Sequence, residues 1–214
     1  MEAWAVVVAG GSGTRFGGPK QFAELAGRSL IDRSVEGARQ VCSGVVLVVP
    51  GERLSAPEPG WKADALVAGG STRSESVRAG LAAVPPTVEV IAVHDAARPL
   101  ARPELWRAVI DAVLAGADAA IPASPVTDTV KEVSPDGHLV TLDRSRLVAV
   151  QTPQAFRAEI LKKVHADGGE ATDDAALVEA AGGRVQLVAG PRDNIKITSP
   201  DDLLIATALL GGRR

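Results

Sequence analysis

At 214 residues, 46% hydrophobic and 23% charged, the chain has the make-up of one globular domain, large enough to bury roughly 70% of the surface its unfolded form exposes. Its net charge of -3 gives no general attraction to nucleic acid or an anionic membrane, so any anion must be met by a local set of donors and cations. Aromatic residues make up only 3%, which leaves a core of Ala, Val, Leu and Ile and no interleaved platform for stacking nucleic-acid bases.

Short β-branched runs alternate with amphipathic stretches, the pattern of a mostly parallel sheet covered by helices. The first predicted strand is Ala3–Ala9; it is too short for a signal-peptide core, has no basic leader and runs straight into a glycine loop. A helix over Ser29–Val41 follows, then a strand at Val45–Pro50 and a surface loop in the Pro- and Gly-rich stretch 50–60. The single cysteine, Cys42, excludes an internal disulfide. It falls at the end of the apolar helical stretch, where a buried structural thiol in a reducing cytoplasm is the expected reading. Next come a strand at Ala65–Val67, a helix over Ser74–Ala83, a strand at Val88–His94, a helix over Arg102–Leu114 and a strand at Ala119–Pro122. Residues 126–150 break the alternation: Pro135-Asp136-Gly137 is a turn flanked by alternating residues, which predicts a β-hairpin that either covers a sheet edge or forms a dimerisation arm. Helices over Arg157–Ala166 and Asp173–Ala181, a strand at Val185–Val188 and a helix over Pro200–Leu210 complete the chain. Ser199 is the expected cap of the last helix, with Pro200 at its first position and Asp201 and Asp202 in its first turn. No apolar run approaches the roughly 20 residues of a membrane span.

The loop after the first strand, AGGSGTRFGGPKQF, joins glycines to two cations, Arg15 and Lys20. Glycines allow close backbone approach and aim N–H groups at phosphate oxygens, and the cations meet charge that develops at a phosphorus under attack. It is not a Walker A loop, because Gly13 and Gly18 are followed by Pro19, Lys20 and Gln21 with no hydroxyl after the lysine. Nor is it a dinucleotide fingerprint, since Gly11, Gly13 and Gly17 carry one residue too many in the second gap. The glycines alone fit an ordinary strand-to-helix turn equally well; the paired cations favour phosphate.

Ligands of open α/β sheets sit beyond the carboxyl ends of the strands, and three further strand ends carry polar chemistry. GGSTRSES (69–76) offers glycine amides and hydroxyls at a helix start, or is simply a capped helix. HDAARP places Asp95 and Arg98 at the mouth of the sheet, where a carboxylate binds magnesium or a sugar hydroxyl or caps a turn. DNIKITSP brings Lys196 to the same edge if the strand before it is parallel. With no aromatic near these segments, a base would be read by backbone groups around 9–11 and 70–76.

In their order, AGGSGTRFGGPKQF, GGSTRSESVRAGL, VHDAARP, PVTDTVK, LDRSRLVAVQTPQAF, ATDDAALVE and DNIKITSPDDL resemble the 2-C-methyl-D-erythritol 4-phosphate cytidylyltransferases over essentially the whole chain. The glycine loop and PKQ are shared with wider sugar nucleotidyltransferases, whereas VHDAARP, TPQ and DNIK are narrower; ribitol 5-phosphate cytidylyltransferases share much of the pattern. The resemblance implies a single Rossmann-like nucleotidyltransferase domain over 1–214, with 126–150 as a hairpin arm that makes a homodimer. It also implies that a phosphate oxygen of methylerythritol phosphate attacks the α-phosphorus of CTP and releases pyrophosphate, with Mg2+ or another divalent cation carried mainly by the CTP phosphates and Asp95 as its protein contact. A phosphate nucleophile already deprotonated at neutral pH needs positioning and charge neutralisation but no general base, so His94, His138 and His165 are read as structural or surface residues.

By the same resemblance Arg15 and Lys20 stabilise charge at the α-phosphorus. Ala9, Gly10, Gly11, Gly13, Lys20, Gly70, Ser76 and Asp95 contact the nucleotide; Asp95, Arg98, Thr129, Arg144, Thr152, Thr172 and Lys196 contact the acceptor. Arg144 and Lys196 hold the acceptor phosphate, and Thr129 and Arg144 serve the neighbouring protomer. Two rival readings stand beside this one: a non-catalytic nucleotide-binding protein, and a dehydrogenase with Glu52 as ribose ligand, which the glycine spacing and PKQ turn oppose.

Overall fold

The computed structural model describes residues 2–11, 16–55, 61–166 and 168–212. β1 (Ala3–Val8) leads through the glycine loop to a short helical turn (Lys20–Phe22) and a small hairpin of β2 (Glu24–Leu25) and β3 (Arg28–Ser29). There follow α1 (Leu30–Arg39), β4 (Gly44–Val49), β5 (Ala65–Ala68), α2 (Arg73–Ala82), β6 (Val90–Asp95), α3 (Pro103–Leu114) and β7 (Ala119–Pro125). The remainder is the hairpin of β8 (Lys131–Val133) and β9 (Leu139–Thr141), then β10 (Val148–Val150), β11 (Gln154–Arg157), α4 (Ala158–Ala166), α5 (Asp174–Ala180), β12 (Val185–Ala189) and α6 (Pro200–Gly211). Every predicted strand and helix is present, with ends moved by a few residues.

The main sheet runs β7-β11-β6-β1-β4-β5, with β10 continuing β11 along one side of β7 and β12 parallel on its other side. Only β10 and β11 run against the rest. Side chains of β1 alternate between the two faces, as strand geometry requires. Ala3, Ala5 and Val7 join Ile31, Val35, Leu47, Trp106 and Val109 under α1 and α3. Val6 joins Val46, Val77, Ile91, Phe156, Leu161 and Val178 under α2, α4 and α5. β4 is buried along its whole length, and each such fully buried Val or Leu contributes roughly 1.5–3 kcal/mol relative to exposure. A third cluster, Leu25, Leu30, Leu100, Ile197 and Ala206, seats α6 beside β2. Ser199 caps α6 as expected, with Asp202 completing a capping box. Hydroxyl and amide donors of Thr198 and Ser199 outweigh the effect of burial and bring the Asp202 carboxyl down to about 2.

Three expectations need correction. Cys42 is buried but lies just past the turn that follows α1, not in the helix; burial pushes its thiol up to about 12, an unreactive state. The hairpin is shorter than 126–150, because Val148–Val150 pairs with β7 in the main sheet. The hairpin also covers no sheet edge: β8 and β9 pair only with each other, and Val133, Leu139 and Val140 stay exposed. Among the described residues no helix is long and apolar enough to cross a membrane.

Candidate active site

Two adjoining cavities open where the parallel strands end. The first, of about 420 Å³, is lined by Ala9, Gly10, Gly11, Lys20, Gly70 and Ser76, among others. The second, of about 310 Å³, is lined by Arg98, Gln151, Thr152, Gln154, Thr172 and Asp173. Arg73, Asp95 and Lys196 line both and form the wall between them. A larger cavity of about 790 Å³ opens at the opposite rim, around the start of β6 and α4, and contains none of the motif residues. Volume alone is therefore a poor guide here.

β1 and β6 are neighbours with Val8 opposite Asp95, so the glycine loop and the HDAARP turn emerge side by side. Gln21 folds the PKQ turn back by donating from Nε2 to the Gly11 carbonyl at 3.0 Å. After β5, Thr72 and Glu75 form a capping box at the start of α2. Glu75 also accepts from the Ser71 amide and hydroxyl at 2.6 Å each, and the Gly70 amide donates to Ser76 Oγ at 3.2 Å. The segment is thus both a capped helix and a cavity wall. The Gly70, Ser71, Thr72 and Glu75 amides are engaged within the turn.

The second cavity is stitched from three remote segments. Buried Asn194 donates from Nδ2 to Gln151 Oε1 at 3.0 Å and to the Thr152 carbonyl at 2.9 Å. Arg98 donates to the carbonyls of Asn194 at 2.9 Å and Val150 at 3.2 Å, and burial holds its guanidinium below the usual range. The Ile197 amide donates to the Ala97 carbonyl at 2.8 Å. β12 is parallel to β7, so Lys196 reaches the common edge, where its Nζ stands 2.7 Å from Asp95 Oδ2.

Asp95 is gripped throughout. Its amide donates to Thr152 Oγ1 at 3.0 Å, its Oδ1 accepts from Arg73 Nε at 3.3 Å, and its Oδ2 accepts from Lys196. Burial by itself would raise its carboxyl, but Arg73 and Lys196 hold it well below the usual carboxylate range. It is ionised at any working pH and serves as an anchor, not as an acid or base.

Of the predicted site residues, Ala9, Gly10, Gly11, Lys20, Gly70, Ser76 and Asp95 converge on the first cavity and Asp95, Arg98, Thr152, Thr172 and Lys196 on the second. Arg15 and Gly13 lie outside the described residues. Thr129 and Arg144 line neither cavity; both are exposed, and Arg144 donates to the Thr127 carbonyl. Arg73 was missed. Its partners are distant in sequence, and its only local signal was a cation in the GGSTRSES turn.

A glycine loop opening onto a cleft at the head of a mostly parallel sheet, with Lys196 on an ionised aspartate and Lys20 lining the same cavity, is the arrangement of an α/β nucleotidyltransferase. The family model described as IspD, 2-C-methyl-D-erythritol 4-phosphate cytidylyltransferase, matches residues 3–212. A 2-C-methyl-D-erythritol 4-phosphate cytidylyltransferase of Rubrobacter xylanophilus is 47% identical, covering 98% of this chain and 95% of its own. The crystal structure of the enzyme of that name from Thermus thermophilus superposes with a TM-score of 0.83 at 33% identity, covering 96% of this chain and 98% of the other. A 4-diphosphocytidyl-2C-methyl-D-erythritol synthase from Anaerococcus prevotii gives a TM-score of 0.85 at 30% identity, covering 98% of both. The chain belongs to this family of transferases. The dehydrogenase and binding-only readings fall, and the ribitol phosphate alternative is not favoured.

Proposed function

We propose that the larger of the two adjoining cavities holds CTP and the smaller holds 2-C-methyl-D-erythritol 4-phosphate, and that transfer takes place across the wall between them. A phosphate oxygen of the acceptor forms the new bond to the α-phosphorus, the bond from that phosphorus to the β-phosphate oxygen breaks, and pyrophosphate leaves. The observation that carries this reading is the wall itself: Lys196 lies in both cavities and Lys20 in the first, around an aspartate kept ionised. Such an array neutralises charge at fixed positions and has no group poised to take a proton, which suits a nucleophile that is already an anion.

A divalent cation fits as a companion of the triphosphate. Among the described residues no three His, Cys, Asp or Glu side chains cluster to hold a metal ion, and Asp95 is the only carboxylate lining the first cavity. Asp95 already holds Arg73 and Lys196 on its two oxygens, so such a cation would be carried mainly by the CTP phosphates, whose negative charge it would offset, with Asp95 giving at most a remaining lone pair. We further propose a homodimer formed through the β8–β9 hairpin, in which Thr129 and Arg144 complete the acceptor site of the partner. Val133 and Leu139 are paired across this hairpin and both exposed, which leaves an apolar pair for a partner to cover and supports it. The product enters non-mevalonate isoprenoid biosynthesis, and a reducing cytoplasm suits the free thiol of Cys42.

Pyrophosphate release from CTP, measured with methylerythritol phosphate and with ribitol 5-phosphate, tests the assignment. Turnover with the first acceptor and little with the second is expected; the reverse preference would replace the acceptor assignment.

A further inference from the structure

Arg73 stands at the first position of α2, where a cation opposes the positive end of the helix dipole. The helix needs no help there, because Thr72 and Glu75 already cap it. Something else keeps an arginine at this point. Its Nε donates to Asp95 Oδ1 at 3.3 Å, and its Nη2 forms an ion pair with Asp174 Oδ2 at 2.9 Å. Asp174 in turn meets His165 Nε2 at 3.0 Å, and both side chains are almost wholly buried. Burial alone would lower the Arg73 guanidinium, but the two aspartates more than compensate and raise it. Asp174 also stays ionised: despite burial, its bond to His165 and the charge of Arg73 hold its carboxyl below the usual range.

The result is a chain from the interior to the reaction site: His165, Asp174, Arg73, Asp95, Lys196. We propose that Arg73 is a positioning residue for the transfer, holding the Asp95 carboxylate so that Asp95 seats Lys196 at the junction of the two cavities, with Asp174 and His165 as its anchor. Stability gives no reason to keep such a chain, since buried ion pairs are commonly replaced by apolar side chains of similar volume without loss. Geometry does give one. Asp95 has two oxygens, one taken by Arg73 and the other by Lys196, so freeing the first lets the carboxylate turn and the lysine drift. A misplacement of about 1 Å lowers transfer rates by on the order of 10²-fold.

This inference rests on the proposed transfer site. The experiment measures kcat and KM for both substrates, together with CTP binding by titration, for Arg73→Met, Arg73→Lys, Asp174→Asn, Asp95→Asn and Arg73→Met/Asp95→Asn. For Arg73→Met we expect kcat/KM for methylerythritol phosphate to fall by on the order of 10- to 100-fold, with the dissociation constant for CTP changed by no more than about threefold. Arg73→Lys should recover part of the loss. Asp174→Asn should move the same constant in the same direction, so the test stands even if Arg73→Met fails to fold. The double variant should be no worse than Asp95→Asn alone, because the arginine acts through the aspartate. Additive losses, or a fall in kcat/KM that vanishes once rates are scaled to the folded fraction measured by circular dichroism, would overturn the proposal. An unmodified protein that releases no pyrophosphate from CTP and methylerythritol phosphate would instead remove the transfer reading on which it rests.

Discussion

His94 makes the stability of this protein depend on pH in a window where carboxylates are silent. The ring is fully buried, 4.9 Å from the ring of Trp106, with Nδ1 3.1 Å from Thr152 Oγ1. The Thr152 hydroxyl also accepts the Asp95 amide, and among the described residues the buried Nε2 has no hydrogen-bond partner. A charged ring would therefore be poorly solvated there. Burial accordingly pushes His94 down to about 3, from 6.5 in an unfolded chain. The folded value lies below the unfolded one, so the stabilisation is complete above pH 6.5 and is lost as pH falls toward 3. Between pH 7 and pH 5 the unfolded chain takes up about 0.7 of a proton at this residue and the folded chain almost none. That removes about 2 kcal/mol, with a limiting slope of about 1.4 kcal/mol per pH unit. Urea unfolding at pH 7, 6 and 5 of the unmodified protein and of His94→Asn measures it. Asparagine can still accept from Thr152 but does not titrate. The variant should be less stable throughout for loss of ring packing, yet its loss between pH 7 and pH 5 should be smaller by about 2 kcal/mol. Parallel pH profiles would show that His94 is not held neutral, and the reasoning would fail.

Other consequences follow from the turn before α2 and from the hairpin. A Cβ at Gly70 would lie 2.3 Å from Glu75 Cβ and 2.6 Å from its Oε2, so Gly70→Ala must expel the capping glutamate. A loss of about 1–2 kcal/mol in urea unfolding should come with a raised KM for CTP; an unchanged KM would detach this turn from the nucleotide. If Arg144 serves the partner's site, mixing Arg144→Ala and Lys196→Ala subunits should restore activity that neither homodimer shows, because half the sites of a mixed dimer regain both cations. No recovery would place both cations on one chain. A backbone-lined slot should also exclude purines by size, so comparable kcat/KM for CTP and ATP would contradict the placement of the base.

Much of this was legible in the sequence because the sheet is mostly parallel and buried, so its strands appear as apolar runs between punctuating glycines and prolines. The ends of those runs located the cavities. β11 was not legible: Gln154–Arg157 is a short run with no clear alternation, and it becomes a strand only because β6 and β7 leave a gap that its antiparallel backbone fills. The β2–β3 hairpin escaped notice for the same reason of length. Lys196 was legible as a lysine after a strand, whereas Arg73 was not. An arginine among serines at a helix start resembles solvated surface, and only the fold reveals that Asp95 and Asp174 converge on it. Buried charge pairs between remote segments leave no local pattern.

The central claim is that the cleft works by placing positive charge where negative charge develops, with no general base. Its most direct test is Lys20→Ala, compared with the unmodified protein for kcat with saturating substrates and for CTP affinity by titration. The account predicts a fall in kcat on the order of 10²-fold or more with CTP binding little changed, as expected of a group that acts chiefly in the transition state. A variant that keeps its kcat and shows only a raised KM for CTP would make Lys20 a ground-state contact and contradict the claim.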